Sequence, residues 1–404
     1  MKYSVITFGC RVNQADSLVI EGELRARGAR NVSPDEADLV VVNTCSVTAS
    51  ADQGARQTIR RIARQNPSVR VLVTGCYATR RPDELRGLPN VVDVVSNTDK
   101  DDVVRLLGET SRSQDGDGPC GHALEPGTAG RTALTLRVQT GCEESCSYCI
   151  IPHTRGRGRS TPMPVVIDRI TRATASGYKE IAITGVHLGS YGRDVHDGSS
   201  LTTLVRCLAE WNGDVLFRLS SLEPMDCTND IVDLVAASPR LAPHFHLPLQ
   251  HGADTVLGRM RRPYTAAFYQ RLLERIHTLM PHAAVGTDVI VGFPDETEAE
   301  FSRTERLLSE LPLSHVHVFP YSDRPGTEAS ALSGKVDGMA IRDRGRRVRD
   351  VGQQKATLFR RSQQGSVRRA LTVDDGRSAV TDNYVKVQLD RRYPRNEWIN
   401  VRID

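Results

Sequence analysis

Three cysteines near the middle of the chain, Cys142, Cys146 and Cys149, have the spacing CxxxCxxC. Iron–sulfur clusters are held by cysteine thiolates, and a cubane normally takes four of them. Three thiolates on one loop would leave one iron open to a ligand that is not protein. The alternative is zinc, which prefers CxxC pairs and a closed shell of four ligands. The chain contains no second CxxC, so the spacing favours iron.

Three further cysteines, Cys10, Cys45 and Cys76, lie 35 and 31 positions apart in the first quarter of the chain. Each follows directly on a short β-branched run that predicts a strand. In an open α/β sheet the carboxyl ends of parallel strands meet at one crevice, where ligands bind. We therefore expect a second three-cysteine cluster with an open iron there. The alternative is that these are small apolar residues that happen to end three strands.

The elements that must position these cysteines form three regions. Residues 1–108 alternate continuous apolar runs with helical patterns, which predicts an open parallel α/β sheet. Residues 131–356 contain six such units, which predicts an incomplete (β/α)6 barrel. Apolar and polar residues alternate with period two in residues 357–404, which predicts a small antiparallel β module. Residues 109–130 are rich in Gly, Ser, Asp and Pro and are expected to form a flexible linker. The predicted barrel strands are residues 134–139, 180–184, 215–220, 244–249, 285–291 and 315–319.

The composition agrees with a globular chain of two or three domains, since it has 404 residues, of which 39% are hydrophobic and 25% charged. These values exclude disorder over the whole chain. The chain has no run of 18 apolar residues and no signal-peptide pattern at its start, so we expect a cytoplasmic protein with no membrane partner. In that compartment the nine cysteines are not expected to form disulfides. Cys120, Cys207 and Cys227 are given no role.

Positive charge is concentrated in one segment. The net charge of the chain is +4, but residues 341–370 contain ten Arg or Lys residues against two Asp residues. Such a run is either a solvated helix face or a surface that binds a nucleic-acid phosphate backbone.

Five sequence strings and the two cysteine trios resemble the radical S-adenosylmethionine methylthiotransferases over essentially the full chain. CxxxCxxC is typical of the wider superfamily, and the upstream trio narrows the resemblance to the methylthiotransferases. The strings resemble the branch that acts on N6-threonylcarbamoyladenosine at position 37 of tRNA. They are residues 7–13 (TFGCRVN), 139–142 (QTGC), 150–156 (IIPHTRG), 218–224 (RLSSLEP) and 244–250 (HFHLPLQ).

The resemblance implies a transferase that inserts a methylthio group at C2 of that adenine, in the anticodon loop of tRNA. It implies two [4Fe-4S] clusters, S-adenosyl-L-methionine, and an electron donor such as flavodoxin or ferredoxin. Residues 131–356 would be the radical barrel, and residues 357–404 a short TRAM-like module that helps to hold RNA. Close relatives act on isopentenyl-adenosine in tRNA or on a ribosomal protein. A non-catalytic iron–sulfur sensor that binds RNA is the alternative from another class.

Three further residues are candidates for binding S-adenosylmethionine. Tyr148 precedes the third cysteine of its loop and is placed to contact the adenine ring, unless it simply packs in the core. Ser221 and Glu223, at the end of the third barrel strand, are candidates for ribose or methionine contacts, unless they cap a loop. Arg155 and its neighbours Arg157 and Arg159 are candidates for RNA phosphate contacts, and solvation explains them nearly as well. Finally, we expect the two cysteine trios to face one another across the barrel mouth.

Overall fold

The computed structural model describes residues 1–103, 125–127 and 132–404, and these divide into two compact units. The first unit comprises the described part of Met1–Leu124 together with Thr140–Glu144 and Cys149–Arg159. The second comprises Glu125–Gln139, Ser145–Tyr148 and Ser160–Asp404. The predicted linker, residues 109–130, lies outside the described residues except for 125–127, and Cys120 lies outside them too.

The first unit is built on a five-stranded parallel sheet with the order β2-β1-β3-β4-β5. Its strands are β1 (Lys2–Thr7), β2 (Arg30–Asn31), β3 (Leu39–Thr44), β4 (Arg70–Gly75) and β5 (Val91–Val95). Its helices are α1 (Arg11–Ala26), α2 (Ala49–Gln65), α3 (Cys76–Arg80), α4 (Pro82–Arg86) and α5 (Ile151–Arg155). The predicted open parallel sheet is confirmed.

The central strand β3 explains why this sheet is covered on both faces. All six of its residues are buried. Val40 and Val42 pack with Ile59 of α2, whereas Val41 packs with Leu24 of α1. Because successive side chains of a strand point to opposite faces, a continuous apolar run requires a helix on each side. Helix α2 begins where the Thr48 side chain accepts a hydrogen bond from the backbone N–H of Ala51.

The second unit contains two three-stranded parallel sheets, with the orders β10-β9-β6 and β11-β12-β13. Parallel bridges between Phe217 and Leu241 and between Ser221 and His246 connect the two sheets. Six parallel strands therefore follow one another around an incomplete barrel, as predicted. These six strands are β6 (Leu134–Arg137), β9 (Glu180–Thr184), β10 (Leu216–Leu219), β11 (His244–His246), β12 (Ala284–Val291) and β13 (His315–Pro320). The short strands β7 (Gln139–Thr140) and β8 (Arg159–Ser160) form a separate two-stranded sheet.

Helices cover the outside of these strands, and a small antiparallel sheet follows them. The helices are α6 (Met163–Ala175), α7 (Leu201–Ala209), α8 (Asn229–Ala237), α9 (Asp254–Arg259), α10 (Ala266–Leu279), α11 (Glu298–Glu310) and α12 (Gly338–Gln363). The last sheet has the order β16-β15-β14-β17 and comprises β14 (Val367–Val373), β15 (Ser378–Thr381), β16 (Lys386–Gln388) and β17 (Trp398–Arg402). The predicted antiparallel module is confirmed. The predicted domain boundaries stay predictions, and the one between residues 356 and 357 falls inside α12.

A buried arginine joins the barrel to this last sheet. The side chain of Arg218 is fully buried, and its Nε lies 3.0 Å from a carboxylate oxygen of Glu180. The same guanidinium donates to the backbone oxygen of Asp382 at 3.0 Å and lies 4.8 Å from the ring centroid of Tyr384. The barrel strands and the antiparallel module are therefore fixed to one another within the second unit.

Two arginines of the basic segment, residues 341–370, form ion pairs that pack helix α12 against the barrel. Arg344 of α12 is almost buried and pairs with Glu296 at 3.0 Å. Arg347 pairs with Glu298 at 2.7 Å and also with Glu305 of α11. These cations attach α12 to the barrel, so a phosphate-binding role for the segment stays a prediction only for its other residues. In the part of the chain that the structure describes, no helix is both long and apolar enough to cross a membrane.

Candidate metal centres

A glycine precedes two of the three cysteines of the first unit, and one of these glycines, Gly9, lies against the buried Cys45. Gly9 precedes Cys10 with φ +90°, and Gly75 precedes Cys76 with φ +100°. A Cβ atom at Gly9 would lie 2.5 Å from the Cβ of Cys45 and 2.7 Å from its Sγ. No L side chain fits that space, and positive φ is the region that glycine alone adopts freely. The Gly-Cys pairs therefore let three strand ends approach one another.

The three thiols at these strand ends lie close together. Cys45 and Cys76 are buried, and Cys10 is exposed. Burial is the main cause that raises the pKa of the Cys45 thiol to about 12, and the neighbouring Cys76 and Cys10 contribute in the same direction. Such mutual electrostatic influence requires proximity. The structure thus brings Cys10, Cys45 and Cys76 together at the carboxyl ends of β1, β3 and β4, where the sequence placed them.

Hydrogen bonds reach the sulfur atoms of five of the six cysteines in the two trios. In three cases the donor is the backbone N–H two residues further on, which is a pattern that favours a thiolate. The donor–sulfur distances are 3.5 Å from Val47 N to Cys45, 3.4 Å from Glu144 N to Cys142, 3.5 Å from Ile151 N to Cys149, 3.6 Å from Asn97 Nδ2 to Cys76 and 3.1 Å from Arg262 Nη1 to Cys146. Hydrogen bonds of this kind also tune iron–sulfur clusters. The donor set therefore fits iron-bound thiolates.

A buried ion cluster lies beside the first trio and was missed by the sequence analysis. One oxygen of Asp16 lies 2.8 Å from Lys100 Nζ and 2.9 Å from Arg155 Nη2, and all three side chains are at most 2% exposed. Burial opposes the charge on Arg155, but Asp16 and then Cys76 and Cys10 raise its pKa. Two cations share one carboxylate, so the group has a formal excess of one positive charge next to the thiols.

Arg155 is therefore not placed as a surface contact for RNA phosphate. Its neighbour Arg157 is exposed and pairs with Glu143 at 2.6 Å. Arg155 also donates to Asn13, whose own side-chain N–H groups donate to the backbone oxygens of Phe8 at 2.8 Å and Thr44 at 3.0 Å. Asn13 thus joins the segments that lead into Cys10 and Cys45. The only sequence signal for this role was a polar pair, Asn13 and Asp16, on the buried face of α1.

Asn97 links the first trio to the segment that follows Cys149. Its side-chain nitrogen lies 3.6 Å from Cys76 Sγ and 2.8 Å from the backbone oxygen of Thr154. Helix α5, which contains Thr154, packs against α3, which begins at Cys76. The end of the CxxxCxxC loop and the first trio therefore belong to the same unit.

In the second unit, Cys146 contacts a different set of charged residues. Arg262 donates to its sulfur at 3.1 Å, pairs with Glu223 and lies over the ring of Tyr264 at 5.2 Å. The Arg262 side chain is 2% exposed. Arg262 thus connects Glu223, a candidate for S-adenosylmethionine contacts, to Cys146, a predicted cluster ligand. Arg262 was missed because it lies 116 positions after Cys146.

Tyr148 and Ser221 are the other two candidates for S-adenosylmethionine contacts. Tyr148 is half-buried and meets Phe293 edge-to-face, with 6.5 Å between ring centroids. Ser221 is exposed, and its backbone forms the β-bridge to His246 described above. Their contacts with S-adenosylmethionine stay predictions. Cys142 and Cys149 belong to the first unit and Cys146 to the second, and the face-to-face arrangement of the two trios also stays a prediction.

The Gly9→Ala variant tests the close approach at Cys45. We expect it to lose about 1–2 kcal/mol from positive φ and a further ~1–3 kcal/mol from overlap with Cys45. Gly28→Ala is the matched control, because Gly28 has φ +76° and open space around its Cβ position. Thermal unfolding followed by circular dichroism compares the two variants. Equal destabilisation would contradict the claim that Gly9 is packed against the thiol.

The Asp16→Asn variant tests the buried ion cluster. Without the carboxylate, Lys100 and Arg155 remain buried with no anion, which we expect to cost about 3–5 kcal/mol of stability. Asp168→Asn is the control, since Asp168 forms an exposed pair with Arg172 at 3.1 Å and is expected to contribute less than about 1 kcal/mol. The unfolding midpoints of both variants are measured in the same buffer. Similar midpoints would show that the Asp16 cluster does not stabilise the first unit.

Two family models match the chain. "Uncharacterized protein family UPF0004" matches residues 2–97, and "Radical SAM superfamily" matches residues 136–308. The first match covers the sheet that holds Cys10, Cys45 and Cys76. The second covers the CxxxCxxC loop and most of the barrel.

The chain is similar to named proteins over nearly its whole length. It is 36% identical to the threonylcarbamoyladenosine tRNA methylthiotransferase MtaB of Aquifex aeolicus, over 96% of this chain and 97% of that protein. Identity to the MtaB of Bacillus subtilis is 34%, over 94% and 88% of the two chains. The chain is also 32% identical to the tRNA-2-methylthio-N(6)-dimethylallyladenosine synthase of Acidothermus cellulolyticus, over 99% of this chain and 82% of that protein.

Solved structures support the fold alone. The radical S-adenosylmethionine methyltransferase TsrM from Kitasatospora setae, with cobalamin and a [4Fe-4S] cluster bound, superposes with a TM-score of 0.57. The sequence identity is 16%, and the match covers 81% of this chain and 76% of TsrM.

With the cysteine trios in place and relatives of more than 30% identity along nearly the full length, the chain belongs to the radical S-adenosylmethionine methylthiotransferases, on the MtaB branch, and is a transferase.

Proposed function

We propose that the chain inserts a methylthio group at C2 of N6-threonylcarbamoyladenosine 37 in tRNA, giving 2-methylthio-N6-threonylcarbamoyladenosine. The observation that carries the proposal is the gathering of Cys10, Cys45 and Cys76 at one sheet edge, in a chain that also has CxxxCxxC. The assignment of the substrate is based on five relatives that are named for threonylcarbamoyladenosine tRNA and are 30–36% identical to this chain.

The chemistry of the substrate explains why this constellation is needed. The C2–H bond of adenine is neither acidic nor a leaving group, so general acid–base catalysis has no means of activating it. The enzyme uses S-adenosyl-L-methionine and two [4Fe-4S] clusters, as its family does. When bound, these groups supply the one-electron cleavage of S-adenosylmethionine and a site for the sulfur that is transferred.

We assign the protein's own contribution to holding and shielding. Cys142, Cys146 and Cys149 would hold the cluster that binds S-adenosylmethionine, and Arg262 donates to the sulfur of one of them. Cys10, Cys45 and Cys76 would hold the second cluster. Two of these three thiols, Cys45 and Cys76, are buried and so shielded from water, which limits side reactions of reactive intermediates.

The remaining partners are part of the proposal. The tRNA is bound at its anticodon loop, and the electron comes from a small redox protein such as flavodoxin or ferredoxin. The reaction takes place in the cytoplasm, where tRNA and such donors are found. One alternative is a different substrate, either isopentenyl-adenosine (also called dimethylallyl-adenosine) in tRNA or a ribosomal protein. The other is a non-catalytic iron–sulfur sensor that binds RNA.

Nucleoside mass spectrometry of tRNA from a deletion strain tests the substrate. We expect loss of 2-methylthio-N6-threonylcarbamoyladenosine with accumulation of its precursor, and recovery on return of the wild-type gene. Selective loss of the dimethylallyl counterpart would transfer the assignment to the other tRNA branch. An unchanged tRNA profile would reject tRNA as the substrate.

Single cysteine variants separate the two trios in vitro. With dithionite as reductant, we expect Cys146→Ala to lose both 5′-deoxyadenosine formation and methylthiolation. Cys45→Ala is expected to lose methylthiolation to background and still to form 5′-deoxyadenosine. Cys207→Ala is the control, because Cys207 belongs to neither trio and should keep both reactions. Loss of 5′-deoxyadenosine formation in a folded Cys45→Ala protein would contradict separate roles for the two trios.

A further inference from the structure

Three histidines and one aspartate form a polar cluster on the barrel strands β11, β12 and β13. One ring nitrogen from each of His246, His315 and His317 lies within 4.8 Å of the others. Asp288 Oδ1 lies 3.0 Å from His246 Nε2 and 3.1 Å from His317 Nδ1. The ring of His315 stacks on that of His246, with 6.1 Å between centroids. We call these four residues the histidine cluster.

The cluster lies on the face of the strands that points away from the outer helices. Gly286 and Asp288 pair with His315 and His317, so the four positions share one face of the sheet. On the opposite face, Val316 packs against Gly352 of α12. The histidine cluster therefore lines the inside of the barrel.

The cluster also lies near the residues that pack around Tyr148, which belongs to the same unit. Ile290 follows Asp288 by two residues on the same strand face and packs in one group with Phe293 and Tyr148. Tyr148 stands between Cys146 and Cys149 in the chain. Two residues of a strand span about 7 Å, since the rise per residue is ~3.3 Å. The histidine cluster thus lies one layer deeper in the barrel than the residues that pack around Tyr148.

Solvent reaches the cluster, so it is not a sealed core network. The exposed side-chain fractions are 16% for His246, 23% for Asp288 and 57% for His317. Burial opposes ionisation of Asp288, but hydrogen bonds from the two imidazoles lower its pKa to about 2. The inner wall of the barrel thus offers a fixed carboxylate acceptor next to several imidazole nitrogens.

This combination matches one of the two N6 substituents found among the substrates of the relatives. A threonylcarbamoyl group has ureido N–H and hydroxyl donors, together with a carboxylate. A dimethylallyl group is a hydrocarbon that offers these side chains no polar atom, and it would displace the water that now reaches them, which is costly. Sites built to hydrogen-bond a substrate group reject analogues that lack it by as much as ~10⁴-fold.

We propose that the histidine cluster binds the threonylcarbamoyl substituent, with Asp288 accepting from its hydroxyl or ureido N–H and the histidines, protonated on both ring nitrogens, donating their second N–H to its carboxylate. This inference rests on the proposed function and adds the residues that select the substrate. They position the base and take no part in the chemical step.

The test uses the reconstituted enzyme and three anticodon stem-loop RNAs, which have threonylcarbamoyl-adenosine, its threonine methyl ester or dimethylallyl-adenosine at position 37. For the wild-type enzyme we expect the ester to lower kcat/KM about 10- to 100-fold, as for a lost hydrogen bond to a charged group. His317→Phe is expected to lower kcat/KM for the acid by a similar factor, mainly through KM. For this variant, replacing the acid by the ester should lower kcat/KM little further, because the contact between His317 and the substrate carboxylate is already absent.

Two further variants make the result specific. His317→Gln keeps a side-chain N–H donor and should recover part of the loss. His277→Phe is the matched control on an exposed position of α10, and its kinetics should equal those of the wild type. If the wild-type enzyme prefers the dimethylallyl RNA, the proposed function fails and this inference with it. If it prefers the threonylcarbamoyl RNA and His317→Phe keeps both that preference and the full ester effect, the inference alone is wrong.

Discussion

The structure of the first unit depends on bringing three cysteine sulfurs to one edge of a parallel sheet. Strands β1, β3 and β4 are neighbours in the sheet, so the residues that follow them emerge side by side. Sheet geometry alone would leave their side chains a strand spacing apart, at about 4.8 Å. Gly9 lies directly against Cys45, so the backbone that leads into Cys10 passes next to the Cys45 side chain. The positions of these cysteines are thus a consequence of parallel strand order and of a missing side chain.

Gathering thiols in a buried place has an electrostatic cost. The raised pKa of Cys45 shows that a bare thiolate is unfavourable there. Cations, N–H donors and metal ions all lower that cost. The structure supplies the first two through Lys100 and Arg155, whose formal excess charge lies beside the trio, and through the N–H groups of Asn97 and Val47. Iron would supply the third.

Much of the fold could be predicted from the sequence because its signals are local. Continuous apolar runs predicted the strands, and the predicted strand 180–184 agrees with the observed β9. The convergence of Cys10, Cys45 and Cys76 followed from one general property of parallel sheets. What could not be predicted depends on partners that are distant in sequence. Arg155 and Asp16 are 139 positions apart, and no local pattern marks such a pair.

The same limit applies to the residues around the barrel cysteines. Glu223 was predicted as a ligand contact from its place after a strand, but its pairing with Arg262 appears only in the fold. The histidine cluster likewise depends on the strand register, which places three histidines around Asp288. The basic segment was ambiguous in the sequence because charge alone does not show whether an arginine faces solvent. In the structure, Arg344 and Arg347 face glutamates instead.

The iron content of anaerobically reconstituted protein tests the two separate thiolate trios most directly. The wild-type chain should hold about eight irons, four in each cubane. Replacing Cys10, Cys45 and Cys76 together by Ala should leave about four, and so should replacing Cys142, Cys146 and Cys149, while the sextuple variant should hold none. Circular dichroism shows whether each variant is folded. Eight irons in a folded triple variant, or the loss of all iron from either one, would contradict two independent metal centres.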